Sequence, residues 1–174
     1  GVVSPGSEVE IEYEGTLAIR DWNAHDVVIC WLSQQQGLEA LAPAFLEHDI
    51  TIDKLVDTDT FLTPDFVTST LGISNKIQGK KLIMAAKRLT TNNDYEVGRV
   101  FDSSAQRQAT YQFTLGSGKA IRAMDLAVST MQQGERAQIV ARADYAYGKD
   151  GLRRSNGDVV VPPFATLAFE VQLL

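Results

Sequence analysis

The chain has 174 residues, 44% of them hydrophobic, and a formal net charge of −6, enough to bury the core of one large domain or two small ones. No apolar run reaches the roughly 18 residues of a membrane-crossing helix, and the opening GVVSPGS lacks the basic start and apolar stretch of a signal peptide. A cytoplasmic protein without a membrane partner is therefore expected, and the acidic balance argues against nucleic acid as a general partner.

The first element is EVEIEYEG, in which Val9, Ile11 and Tyr13 alternate with Glu8, Glu10, Glu12 and Glu14, the pattern of a half-buried strand. No hairpin turn follows. Asn23 instead opens a run in which Val27, Val28, Trp31 and Leu32 repeat at helical spacing. Cys30 lies in this run and is expected to be a small core residue, with no second cysteine to pair with. Leu38, Leu41, Ala42 and Phe45 mark a second helical face, and FLTPDFVTSTLGI predicts a short helix with Pro64 in its first turn and Gly72 at its end. Leu82, Ala85, Ala86 and Leu89 mark the last helix, opened by Gly79. TTNNDYEV predicts a polar connector. Strand patterns then return in VFDSS, ATYQFTL, ERAQIVARADY and ATLAFEVQLL, interrupted by one short helix, KAIRAMDLAVSTM. If residues 20–96 are removed, EVEIEYEGTLA runs into GRVFDSS as a good hairpin. An α+β chain is expected, with a helical domain (20–96) inserted in a sheet domain made of 1–19 and 97–174, because insertions at hairpin tips disturb few backbone hydrogen bonds.

EYEGTL, GRVFDSS, FTLGSGKAIRAMD, QQGERA, DYAYG and VVVPPFATLAFEVQLL, in that order, resemble the FKBP family of peptidyl-prolyl cis-trans isomerases over essentially the whole outer sequence. The resemblance implies an antiparallel sheet wrapped on one short helix and a pocket walled by Tyr13, Tyr111, Phe101, Phe113, Val160, Val161 and Phe169. Ile121 on the helix is its floor, with Ala120 and Met124 beside it. It also implies that Tyr147 offers its hydroxyl to one substrate carbonyl and Ile121 its amide to another. Asp102 becomes a buried carboxylate held by Tyr13 and Arg107. Tyr13 can serve as wall or as support. The implied partners are proline-containing segments of proteins and macrolides of the FK506/rapamycin type. Two departures stand out: Met124 replaces a tryptophan common at the family's pocket floor, which implies weaker catalysis and macrolide binding, and KDGLRRSNGD after Tyr147 is a longer, basic loop.

Trp22 with DVVICWL, then GLEALAPAF, HDITIDKL, LTPDF, LGI and QGKKLIMAAKRL, resemble the SAM domain, a five-helix interaction module, in which Trp22, Trp31, Phe45 and Leu71 are core. From Asp26 to Asp65 the charges are acidic except for Lys54, and from Lys76 to Arg88 all are basic. Lys80 and Lys81 are expected near the start of the last helix, where cations oppose its dipole. With Lys76 they form a candidate surface for docking on another SAM domain's acidic face; the same basic run is the one place suited to RNA.

GSGK at 116–119 lacks the earlier glycine and the Ser or Thr of a phosphate loop, having Phe113 and Ala120 there. His25 and His48 with one cysteine do not make a structural zinc site, so neither cofactor nor metal is expected. The sequence therefore predicts a prolyl isomerase with chaperone-like capture of its substrates, carrying an interaction module. The alternative is a scaffold in which both domains only bind, and a third expectation has the insert holding substrate. Because the chain ends on its last predicted strand, it is expected to be a piece of a longer protein.

Overall fold

The computed structural model describes residues 1–18, 20–91 and 96–174, apart from the side chains of residues 90 and 91. The chain forms two compact units, Gly1–Ile19 with Asp94–Leu174, and Arg20–Asn93. The first unit opens with β1 (Glu8–Leu17), whose inward residues Val9, Ile11 and Leu17 are buried. The second unit contains α1 (Ala24–Cys30), α2 (Ala42–Glu47), α3 (Ile52–Val56) and α4 (Lys76–Thr91). Helix α1 begins where Asn23 demands it: the Asn23 side chain accepts from the Asp26 amide (2.9 Å) and the Asp26 carboxylate accepts from the Asn23 amide (3.0 Å), a reciprocal cap. Asn23→Ala should lower stability by about 1 kcal/mol, read from urea unfolding midpoints. Trp22, Trp31, Phe45, Leu55, Leu62, Leu71 and Leu82 are buried. Cys30, expected in the core, is only half-buried at the end of α1.

Two helical expectations change. FLTPDFVTSTLGI forms a π-helical segment, Phe66–Thr70, so the second unit has four α-helices among its described residues instead of five. The cause is local. Thr68 donates its hydroxyl to the Pro64 carbonyl (2.9 Å), and short polar side chains of this kind compete with the backbone ladder, which here closes one residue later, from the Leu71 amide to Phe66 (3.0 Å). The last helix starts at Lys76 rather than Gly79, because Asn75 accepts from the amides of Ile77 (2.9 Å) and Gln78 (3.2 Å). Lys80 and Lys81 therefore stand in its second turn, beyond the strongest part of the dipole, and Lys76 alone occupies the unfavourable first position. Gly79 meets the Val67 side chain, where an added Cβ would stand 3.3 Å from it. Of the expected connector TTNNDYEV, residues 92–95 lie outside the described residues.

Beyond α4 the first unit resumes with β2 (Val100–Ser103), α5 (Ser104–Arg107), β3 (Tyr111–Thr114), α6 (Arg122–Val128), β4 (Arg136–Ala141), β5 (Leu152–Arg153), β6 (Val159–Val161) and β7 (Leu167–Leu173). All pairings are antiparallel. β1 is central: β7 covers one edge from Ile11 to Leu17, while β3 pairs with its first half and β2 with its second half. β4 extends the sheet beyond β7. At the end of β1, the Leu17 amide donates to the Arg99 carbonyl (3.0 Å) and the Gly98 amide to the Leu17 carbonyl (2.8 Å). Ser103 caps α5 by accepting from the Gln106 amide (2.9 Å), and Gln108 ends it with a positive φ of 55°. The buried faces of β1, β3 and β7 close on Ala123, Met124 and Val128 of α6. ERAQIVARADY stops being a strand at Ala141, and Ala143–Tyr145 is a 3₁₀ turn. The segment expected as a polar loop after Tyr147 is the β5–β6 ribbon, closed by the Arg154 amide on the Asp158 carbonyl (2.9 Å).

Candidate active site

Strand alternation carries Tyr13, Phe101 and Phe169 to the inner face of the sheet, where they meet the start of α6. They line a cavity of about 180 Å³ together with Asp102, Tyr111, Ala120, Met124, Tyr147, Ile121 and Lys119. The rings stand edge to face: Phe101 is 5.7 Å from Phe169 and 6.4 Å from Tyr147, and Tyr13 is 6.2 Å from Tyr111, the geometry that ring quadrupoles favour.

Several expected wall residues are placed elsewhere. Phe113 is fully buried in the core and packs against Tyr111 at 5.2 Å: the two share the inner face of β3, but only Tyr111 reaches the cavity. Val161 is likewise core, 1% exposed. Val160 borders a neighbouring hollow beside β2. Ile121 precedes the helix instead of sitting on it: with an extended ψ of 150° it is the N-cap of α6, and it lines the cavity together with the buried Met124, one turn along. The Ile121 carbonyl takes the amides of Met124 (3.0 Å) and Asp125 (3.1 Å). Asp102 is partly rather than fully buried, with 22% of its side chain exposed.

The polar side of the cavity is organised by Asp102. The Tyr13 hydroxyl donates to Oδ2 (2.7 Å), and Arg107 donates from Nε to Oδ1 (2.8 Å) and from Nη2 to Oδ2 (3.2 Å), a paired geometry that fixes the carboxylate's plane. Ser104 locks the strand below: its Oγ accepts from the Tyr13 amide (3.0 Å) and donates to the Tyr13 carbonyl (3.2 Å). Burial pushes the Tyr13 phenol far above its ordinary value near 10, and the hydrogen bond to Asp102 and that carboxylate's charge push it further. Tyr147 is raised too, by burial first and then by the charge of Asp102. Arg107 is raised by its hydrogen bond to Asp102. Among the described residues the Tyr147 hydroxyl has no protein partner, so it is available to a ligand. Because the folded Tyr13 holds its proton where an unfolded tyrosine has lost it, its contribution to stability is complete below about pH 10 and fades as the pH rises above that. The stability difference between the natural chain and Tyr13→Phe should therefore shrink or reverse between about pH 9 and pH 11 in urea titrations.

Two residues of the site escaped the sequence. Lys119 stands inside quoted motifs but is given no role in the pocket there. Gly15 carries no side chain into the cavity, yet an added Cβ would stand 2.5 Å from Cζ of Phe101 and 2.8 Å from Cε1 of Phe169. A glycine inside a strand marks such a close approach. Among the described residues no three His, Cys, Asp or Glu side chains converge as a metal would need, and no helix is long and apolar enough to cross a membrane.

An antiparallel sheet closed on one short helix, around a small cavity lined by aromatic rings and a few polar groups, defines a fold with room for a compact apolar group. The chain belongs to the FKBP-type peptidyl-prolyl cis-trans isomerase family, whose model matches residues 75–174. The match begins at Asn75, one residue before α4, and leaves out β1, so Tyr13, which lines the cavity, lies outside it. A second model, the SAM domain (Sterile alpha motif), matches residues 21–90. The chain is 45% identical over 76 residues to peptidyl-prolyl cis-trans isomerase FKBP4 of Rattus norvegicus, covering 44% of this chain and 16% of that protein. It is 42% identical over 77 residues to peptidyl-prolyl cis-trans isomerase Fkbp12 of Drosophila melanogaster, 44% of this chain and 67% of that one. It is 43% identical over 76 residues to peptidyl-prolyl cis-trans isomerase FKBP20-1 of Arabidopsis thaliana, 44% of this chain and 37% of the relative. The matched segment thus spans about a sixth of the length of the FKBP4 protein.

Proposed function

We propose that the chain catalyses cis/trans isomerisation of X-Pro bonds in protein segments, with the proline ring in the cavity of Phe101, Phe169, Tyr111, Ile121 and Met124. The observation that carries this reading is the cavity itself: edge-packed aromatic rings around a space of about 180 Å³, with Tyr147, whose hydroxyl has no partner among the described residues, in its lining. No bond is made or broken. Rotation about the peptide bond passes through a twisted amide at an uncatalysed barrier of about 18–20 kcal/mol, and the planar amide, being more dipolar than the twisted one, is disfavoured in an apolar enclosure. A thousandfold acceleration needs only about 4 kcal/mol. In this reading the Tyr147 hydroxyl and the Ile121 amide each donate to a substrate carbonyl, while Asp102, Arg107 and Tyr13 hold the wall in place. Phe113, Val160 and Val161 support the site from the core and the neighbouring hollow.

Met124, buried at the floor, is flexible where an indole would be rigid. It supports the reading of a weak enzyme with weakened macrolide binding, and it also favours the alternative of a binding scaffold that does not turn over. The cis-to-trans rate of a short Leu-Pro peptide separates the two. Acceleration that Tyr147→Phe lowers by about tenfold, the scale of one lost hydrogen bond, supports the enzyme. A folded chain that gives no acceleration would leave the scaffold. Met124→Trp is expected to raise kcat/KM by several-fold.

We also propose that residues 20–96 are a SAM-like domain, with the π-helical segment standing in for one of five helices, inserted in the β1–β2 hairpin. The hydrogen bonds between Leu17 and residues 98–99 support this placement. Lys76, Lys80 and Lys81 are exposed and would dock on an acidic SAM surface, of this chain or of another, in a contact that makes open chains. Sedimentation at low salt should show reversible association, which a Lys80→Glu/Lys81→Glu variant abolishes. The single cysteine fits a reducing, cytoplasmic setting.

A further inference from the structure

Two hollows adjoin the cavity on the side of Phe101 and Asp102. One, of about 400 Å³, has Phe101 and Asp102 in its wall together with Arg107, Arg153 and Arg154. The next, of about 550 Å³, also contains Phe101 and Arg154 and reaches Arg99. Phe101 and Asp102 thus belong both to the proline cavity and to the groove beside it. Four guanidinium groups line this groove against two carboxylates, Asp102 and Asp158, in a chain whose formal net charge is −6.

The groove is built by the ribbon after Tyr147. The Gly157 amide donates to the Arg154 carbonyl (2.9 Å), Arg153 donates from Nη1 to the Gly157 carbonyl (3.3 Å), and Asn156 bridges to Asp158 (3.1 Å). Gly151 sets the ribbon's entry: its φ is +67°, and an added Cβ would collide with the backbone of Val161 and Pro162. Arg153 and Arg154 are therefore held on a structured element, exposed, beside Val160. Arg99 is tied to the Val160 carbonyl (3.3 Å), Arg153 through Nη1 to the Gly157 carbonyl (3.3 Å) and Arg107 to Asp102, which leaves Arg154 and the other nitrogens of Arg153 on the exposed ribbon to meet a ligand.

We infer that this arginine-lined groove binds residues flanking the proline, and that the chain selects proline-containing segments with acidic side chains on that flank. The inference rests on the isomerase reading for the position of the proline, but its test reads affinity rather than turnover. Dye-labelled Leu-Pro peptides carrying two Glu, two neutral or two Lys residues, placed before or after the proline in separate series, are titrated with the full chain at low and high salt. The Glu peptides should bind roughly three- to tenfold more tightly than the Lys peptides, the scale of two exposed ion pairs. The preference should be strongest in one of the two series, because the groove leaves the cavity on one side, and it should fade with salt. Arg153→Glu/Arg154→Glu should remove or reverse it, and the single Arg154→Gln should halve it. Equal affinities for Glu and Lys peptides at low salt, a preference that survives charge reversal, or no binding of any peptide would each overturn the inference. Charge-selective binding without acceleration of any peptide would instead overturn the isomerase reading and leave the groove standing.

Discussion

Gly15→Val should cost about two orders of magnitude in kcat/KM on a Leu-Pro peptide while leaving the chain folded. Gly15 lies opposite Asp102 on one neighbouring strand and Phe169 on the other, at the point where the register with β2 shifts. Its backbone is not left-handed, so the demand for glycine comes from space rather than from φ. Even the first carbon of a side chain would stand inside van der Waals distance of both Phe101 and Phe169. Both rings line the cavity, so a displacement of either changes the space proposed for the proline ring. Overpacking of this kind costs about 1–3 kcal/mol, survivable for a domain with a stability of about 5–15 kcal/mol, whereas a misplacement of about 1 Å at a reacting centre costs about a hundredfold. Gly15→Ala should show the same effect in smaller measure. Turnover, urea unfolding and near-ultraviolet circular dichroism of the aromatic residues together check the outcome. Undiminished turnover with a shifted aromatic signal would mean that the proline does not enter this cavity.

The alternation in EVEIEYEG and ATLAFEVQLL was legible because each strand buries one face, so that a period of two had to appear in the residue types. The pairing of β1 with VFDSS followed once a strand without a turn had to find its partner elsewhere. Motifs gave the aromatic positions, but not which of them face the cavity. Tyr111 and Phe113 have the same parity on β3 and differ only in how far along the strand the cavity reaches, a matter of sheet curvature that no periodicity records. The start of α4 was missed because Gly79, a residue costly inside a helix, reads as a boundary, while the true signal was Asn75, a side chain able to accept two amides. The π-helical segment was invisible for a related reason: its threonines and serine compete with the backbone through local bonds. Gly15 stood inside a quoted motif without a role, since a glycine's reason for being there lies in what crowds it.

Asp102→Ala is the second change with a large expected effect, and its consequences can be separated. The substitution removes the acceptor of the Tyr13 hydroxyl and both bonds of Arg107. Loss of the Tyr13 bond leaves a half-buried phenol unsatisfied, at a cost of about 1–3 kcal/mol. Arg107, 67% exposed on its side chain, turns to water at little cost. Freed of its anchor, the Tyr13 ring loses its fixed angle against Tyr111, and kcat/KM on a Leu-Pro peptide should fall by about tenfold or more. Asp102→Asn, which keeps the shape and an acceptor oxygen but no charge, should retain most of the stability and part of the activity. The tyrosinate absorbance gives an independent readout. Burial is the first cause of the raised Tyr13 phenol and Asp102 the second, so in Asp102→Ala the phenol should ionise at lower pH than in the natural chain and still above its ordinary value near 10. Alkaline loss of stability should accordingly be shallower in the variant, since less separates the folded from the unfolded phenol. A titration unchanged by the substitution would show that burial alone holds the proton, and would reduce Asp102 from organiser of the wall to a strand residue with a surface ion pair.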